Sequence, residues 1–254
     1  MLHRGQENFF APPEFDFAVS PEEDQLRREV KILSSSSHKN IVEYLGSSGW
    51  DTGAVNVYMS LKTGNLCHLL DKFPAVRSNC KVLTQLLHEM LETLDYLTFR
   101  GWIHRDVKLE NILYTPSGDE EYLFQLADFG FANQHRLANT FCGTPFYMAP
   151  EIVYGTHSQS PQMDVWSLFI VLAIVTQAGG FHDPNLSCYG EVLRCARAAA
   201  AQHIHLSPVA QESPELRASA AQMLVKCFDG QGLSTPRHLV GPIPDPGSAP
   251  EHAK

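Results

Sequence analysis

Between Ile103 and Leu113 the chain reads IHRDVKLENIL. Five side chains that can do chemistry, His104, Arg105, Asp106, Lys108 and Asn111, fall within eight positions and are fenced by Ile and Leu. A buried strand would not tolerate such groups unpaired. A solvated surface loop has no need of apolar anchors on both sides. The pattern is that of a polar site pinned at its ends by hydrophobic residues, and the rest of the chain must position it.

Several elements can do so. SPEEDQLRREVKIL, from Ser20, predicts an amphipathic helix, with Ser20 as N-cap, Pro21 at the first helical position and Glu23 completing a capping box. Leu26, Val30 and Leu33 recur at helical spacing, which puts Glu29 on or beside the buried face, where a lone carboxylate is costly. IVEYLG and VNVYMSL read as short strands around the turn WDTGAV. From Val82 to Leu97 the apolar stripe is wide enough for a largely buried helix. A strand pair at 112–114 and 122–126 leads into ADFG. From Pro150 the chain is mainly helical, with Leu168 to Val175 a buried stretch too short to cross a bilayer. Beyond about Asp229, Gly, Pro, Ser and His predict a disordered tail.

The chain has 254 residues, 44% apolar and 19% charged, enough for one large domain or two modest lobes. A net charge of −9 without basic clusters speaks against nucleic acid as a partner. The six cysteines show no CxxC spacing and read as reduced thiols. With no apolar leader at MLHRGQENFF, the expectation is an intracellular protein without a membrane anchor, in the cytoplasm with the nucleus left open.

Three segments in order, HRDVKLEN at 104–111, DFG at 128–130 and APE at 149–151, resemble the protein-kinase signature set. Any one alone is weak; the eight-residue match and the spacing of all three are specific. The resemblance implies an α+β, kinase-like bilobal fold over residues 20–228, with a small-lobe remnant at about 20–62, a large lobe at about 63–228, an atypical segment at 1–19 and a tail at 229–254. It implies Asp106 as the catalytic base, Lys108 on the transferred phosphate, and Asn111 and Asp128 as ligands of Mg2+ on ATP. HRDxKxxN and GTPFYMAPE are similar to the serine/threonine class, in which Thr144 contacts the catalytic Asp and Lys. Arg105 and Thr140 would serve control by phosphorylation of the segment between DFG and APE, with an upstream activating kinase as partner. Asp164 is similar to the buried aspartate that anchors the catalytic loop, although Phe169 stands where the family commonly has Gly. Arg217 is similar to the late arginine that pairs with Glu151. MSLKTGNL is similar to the hinge, placing Met59, Ser60 and Leu61 along the adenine. The expected substrate is a protein Ser or Thr hydroxyl; oligomeric state stays open.

The resemblance fails near the start. Glu29 fits the helix glutamate, but the first lysine is Lys31, inside the predicted helix, and no GxGxxG precedes it. FAVS, with Ser20 in the lysine's place, is the nearest echo of the lysine strand. The expectation is that the first strands of the small lobe, with the glycine-rich loop and the ATP-binding lysine, are missing or replaced. Three readings stay open: a serine/threonine kinase by descent with a shortened N-terminus, a pseudokinase acting as a binding or scaffold module, and a weakly active enzyme in which Arg4 or another cation substitutes for the lysine. A small-molecule phosphotransferase fits the Lys108, GTP and APE features less well.

Overall fold

The computed structural model describes residues 21–52, 54–134, 145–183 and 186–245. Helix α1 (Pro21–Ser35) buries Val30, Ile32 and Leu33, as its periodicity requires; its expected cap, Ser20, lies outside the described residues. The helix packs on an antiparallel hairpin of β1 (Tyr44–Ser48) and β2 (Asn56–Met59). At the tip of this hairpin the Trp50 ring lies 4.8 Å beneath the Arg27 guanidinium, a cation–π contact across the two elements. IVEYLG becomes a strand only at Tyr44. Its first residues are spent elsewhere: Ile41 bridges Leu126 in parallel, and the Val42 amide donates to the Leu126 carbonyl at 3.0 Å.

The larger part opens with β3 (Gly64–Asn65), α2 (Leu66–Lys72) and α3 (Cys80–Phe99). The Asn79 side chain caps α3 by accepting from the Lys81 and Val82 amides. There follow β4 (Trp102–Ile103), β5 (Ile112–Gly118), β6 (Glu121–Leu126) and β7 (Asn133–Gln134). β3, β5 and β6 form one antiparallel sheet, and β4 pairs with β7. This topology positions the site. IHRDVKLENIL runs from β4 into β5, while ADFG runs from β6 into β7, so the same two ladders hold both polar segments.

The rest is helical: α4 (Pro150–Val153), α5 (Gln162–Val175), α6 (Tyr189–Gln202) and α7 (Ala220–Phe228). α5 is buried on all sides, as a helix apolar all round must be. Its buried polar residues, Asp164 and Ser167, both have partners. Phe169 packs into this core with its ring 6.0 Å from that of Trp166.

The tail is a correction. Residues 229–245 are ordered, contrary to the expectation of disorder from Asp229. Asp95 on α3 accepts from the Ser234 and Thr235 amides at 2.7 and 3.0 Å and from the Thr235 hydroxyl at 2.6 Å, and Gln222 on α7 donates to the Pro242 carbonyl at 2.6 Å. Composition hid this because the ordering groups belong to α3 and α7, not to the tail. No helix among the described residues is long and apolar enough to cross a membrane.

Candidate active site

The loop is held from beneath by one carboxylate. Asp164, in the first turn of α5, accepts from the His104 amide at 2.7 Å and the Arg105 amide at 2.8 Å. Arg105 thereby holds φ 75°, a left-handed conformation that a non-glycine residue adopts only under external constraint. Burial pushes the Asp164 carboxyl up to about 6, although the Arg105 and His104 amides and the Arg105 charge pull the other way. A raised folded-state value means that its contribution to stability is complete below the ordinary 3.8 and is lost as pH rises through about 6. The stability of the parent relative to Asp164→Asn is therefore expected to fall by on the order of 3 kcal/mol between pH 4 and 7. Denaturant unfolding of both proteins at several pH values measures this, and a flat difference would contradict it.

His104 organises the next layer. Its Nδ1 accepts from the Asp106 amide at 3.3 Å, which leaves Nε2 as the donor to the Ala127 carbonyl at 3.0 Å. Both nitrogens serve as in a neutral imidazole, and burial holds its pKa below the ordinary value. The ring also stands edge-on to Phe129 at 4.8 Å. One residue thus links the HRD turn to ADFG. The motif alone gives it no role beyond its place as a neutral-capable side chain beside an apolar anchor.

The reactive groups come together above it. Asp106 is buried, and its Oδ2 accepts from Lys108 Nζ at 2.6 Å and from Asn111 Nδ2 at 3.1 Å. Asn111 Nδ2 also donates to the Asp106 carbonyl at 2.9 Å, which leaves the amide oxygen as the donor atom toward a cation. The Asn111 carbonyl in turn accepts from the Ala127 amide at 2.9 Å, joining the loop to the residue between β6 and Asp128. Asp128 is exposed, has φ 61° and accepts from the Gly130 amide at 3.4 Å. Phe129 behind it is fully buried.

Glu29 reaches this cluster from α1. Its carboxylate accepts from the Phe129 amide, and burial first, then the charge of Asp128, holds its pKa above the ordinary range. Among the described residues no cation forms an ion pair with it. The expected hinge lies at the end of β2. The Ser60 amide donates to the Glu43 carbonyl at 2.9 Å and its hydroxyl to the Glu43 carboxylate, which also takes Lys62 Nζ at 2.6 Å and Gln125 Nε2 at 3.1 Å. This network ties the end of β2 to β6. Met59 is partly exposed, and Leu61, at 97% exposed, projects into solvent. Thr140 and Thr144 lie outside the described residues.

Glu151 and Arg217 meet away from this cluster, at 2.7 and 2.9 Å, both almost fully buried. The short turn before α4 is fixed independently, because Ser167 on α5 donates to the Tyr147 carbonyl at 2.8 Å. No sequence signal singled out Ser167 beyond its being a hydroxyl inside an apolar run.

A small lobe of helix and hairpin against a larger helical lobe, with an Asp–Lys–Asn loop and DFG converging beside the helix glutamate, defines a bilobal kinase-like fold. The family model described as "Protein kinase domain" matches residues 5–231, and the chain belongs to that family. It is 34% identical over 162 residues to NUAK family SNF1-like kinase 2 of Rattus norvegicus, covering 62% of this chain and 25% of the relative. To serine/threonine-protein kinase ste20 of Aspergillus oryzae it is 34% identical, over 66% of this chain and 20% of the relative. To calcium/calmodulin-dependent protein kinase type 1 of Macrobrachium nipponense it is 34% identical, over 70% of this chain and 51% of the relative. The matched region thus spans between a fifth and about half of these relatives' lengths.

Proposed function

We propose that this chain is a serine/threonine protein kinase domain that takes the γ-phosphate of ATP, with Mg2+, to a protein hydroxyl. The observation that carries this reading is the convergence of Lys108 and Asn111 on one carboxylate oxygen of Asp106, with exposed Asp128 next to Ala127, whose amide donates to the Asn111 carbonyl. Asp106 accepts the hydroxyl proton and orients the nucleophile; Lys108 offers a point charge to the transferred group. The Asn111 amide oxygen and the Asp128 carboxylate are hard oxygen donors suited to Mg2+. When bound, the cation neutralises charge on the phosphate oxygens. Arg105 and Thr140 are assigned to control by phosphorylation, Thr144 to the serine/threonine preference, and Met59, Ser60 and Leu61 to the adenine, to which Leu61, with its side chain in solvent, would offer only backbone groups. The serine/threonine preference is supported by the name of the Aspergillus oryzae relative and by the HRDxKxxN pattern.

One observation favours the scaffold reading. Glu29 faces Asp128 without an ion-pair partner among the described residues, and two facing carboxylates disfavour a nucleotide's phosphates. Thermal unfolding with and without Mg-ATP separates the two. A stabilisation that disappears in Asp128→Ala is expected, and none in the parent protein would leave the chain a binding module.

A further inference from the structure

The four serines that follow Leu33 are not equivalent. The Ser34 hydroxyl donates to the Lys31 carbonyl at 3.3 Å, and the Ser35 and Ser36 hydroxyls to the Ile32 carbonyl at 3.2 and 2.7 Å. These three close the end of α1, where helix carbonyls lack internal partners. Ser37 is exposed, and its hydroxyl makes no hydrogen bond among the described residues. Its amide instead donates to the Tyr96 hydroxyl at 3.1 Å.

Tyr96 brings a cation to the same spot. Arg100, at the end of α3, donates from Nη1 to that Tyr96 hydroxyl at 3.4 Å and from Nη2 to the Ser35 carbonyl at 3.4 Å, with its guanidinium 5.8 Å from the Tyr96 ring centre. The guanidinium therefore lies against the backbone that carries Ser37. It is exposed and has no carboxylate partner among the described residues. An arginine with its fork directed at one carbonyl and one phenol can exchange those weak acceptors for a dianion.

We infer that Ser37 is a phosphorylation site and that Arg100 is the group that receives its phosphate. In the modifying step a protein kinase moves the γ-phosphoryl group of a nucleoside triphosphate to Ser37 Oγ. The bond to the β–γ bridging oxygen breaks, the nucleoside diphosphate leaves, and the hydroxyl proton passes to the modifying enzyme's base. Any kinase can deliver the group, so the inference stands apart from the chain's own activity. Electrostatics make Arg100 necessary. Ser37 lies just past the C-terminus of α1 and beside that of α3, where helix dipoles disfavour negative charge. Glu92 and Asp95 also face the neighbouring His38, and Lys39 is engaged with Glu92 at 2.9 Å. Bidentate pairing with Arg100 offsets this and fastens the end of α1, the helix that carries Glu29, to the end of α3.

Two measurements test it on the full chain. After expression in a eukaryotic host, peptide mapping is expected to find phosphate on Ser37 and not on Ser34, Ser35 or Ser36. Phosphate on those three alone, or on none of the four, overturns the site. In protein carrying phosphoserine at position 37 by genetic encoding, 31P titration should give a second ionisation below the ordinary value of about 6, returning to it in Arg100→Gln. Identical titrations in the two proteins would remove Arg100 from the proposal.

Discussion

Replacing Arg217 with alanine is expected to lower unfolding free energy by about 3–5 kcal/mol. Arg217 is 1% exposed, and all five N–H groups of its guanidinium are used. Nε donates to the Gln211 carbonyl at 2.7 Å, Nη1 to Glu151 at 2.7 Å and the Gln162 carbonyl at 3.1 Å, and Nη2 to Glu151 and the Glu212 carbonyl, each at 2.9 Å. Its centre also lies 5.1 Å from the ring centre of Trp166. Truncation leaves the Glu151 carboxylate buried without its cation and strands three carbonyls, and stranding accounts for most of the loss. Lysine is no substitute, since an ammonium cannot present a planar five-donor fork; Arg217→Lys should recover only a minor part. Equilibrium denaturation of parent and variants measures this. A loss under about 1 kcal/mol for Arg217→Ala, in the range of an exposed pair, would refute the picture of a buried clamp between α4 and the segment before α7.

The second large effect concerns chemistry. If Asp106 is the base, Asp106→Asn should slow phosphoryl transfer to a protein substrate by about 10²–10⁴-fold while leaving Mg-ATP affinity nearly unchanged. The substitution is close to isosteric and retains a side-chain oxygen for Lys108 and Asn111, so the loop should keep its shape. Asp128→Ala should behave differently and lose Mg-ATP stabilisation itself. Radiolabel transfer with a Ser/Thr-containing protein, paired with thermal shifts, separates the two losses. Parental rates in Asp106→Asn would remove it from the role of base. A parent protein that binds Mg-ATP and transfers nothing would favour a nucleotide-binding scaffold.

Much of the local structure was legible because its causes are local. Helix α3 follows from the apolar stripe between Val82 and Leu97, and α5 from a run apolar on every side. The strand pair expected at 112–114 and 122–126 forms as the β5–β6 hairpin. β1 starts later than IVEYLG predicts because a strand pattern says nothing of which neighbour its residues pair with; Ile41 and Val42 turn to Leu126, a residue far along the chain. The order of the tail was missed for the same kind of reason: Asp95, which holds it, lies 139 and 140 positions away from Ser234 and Thr235.

What the sequence determined by itself was the kit of reactive groups: a carboxylate, an ammonium and an amide at fixed spacing in HRDVKLEN, a second carboxylate in DFG, and helical periodicity that puts Glu29 near a buried face. Spacing along a chain sets which residues are offered together. Only the tertiary structure decided how they are held: Asp164 reaching 60 and 59 positions back to the His104 and Arg105 amides, a neutral His104 joining HRD to Ala127, and Lys108 and Asn111 sharing one oxygen of Asp106. It also decided that Glu29 meets the Phe129 amide and the charge of Asp128, with no ion pair to a cation among the described residues. Such contacts depend on strand pairing and helix packing between distant segments, and burial then sets the charge each group carries.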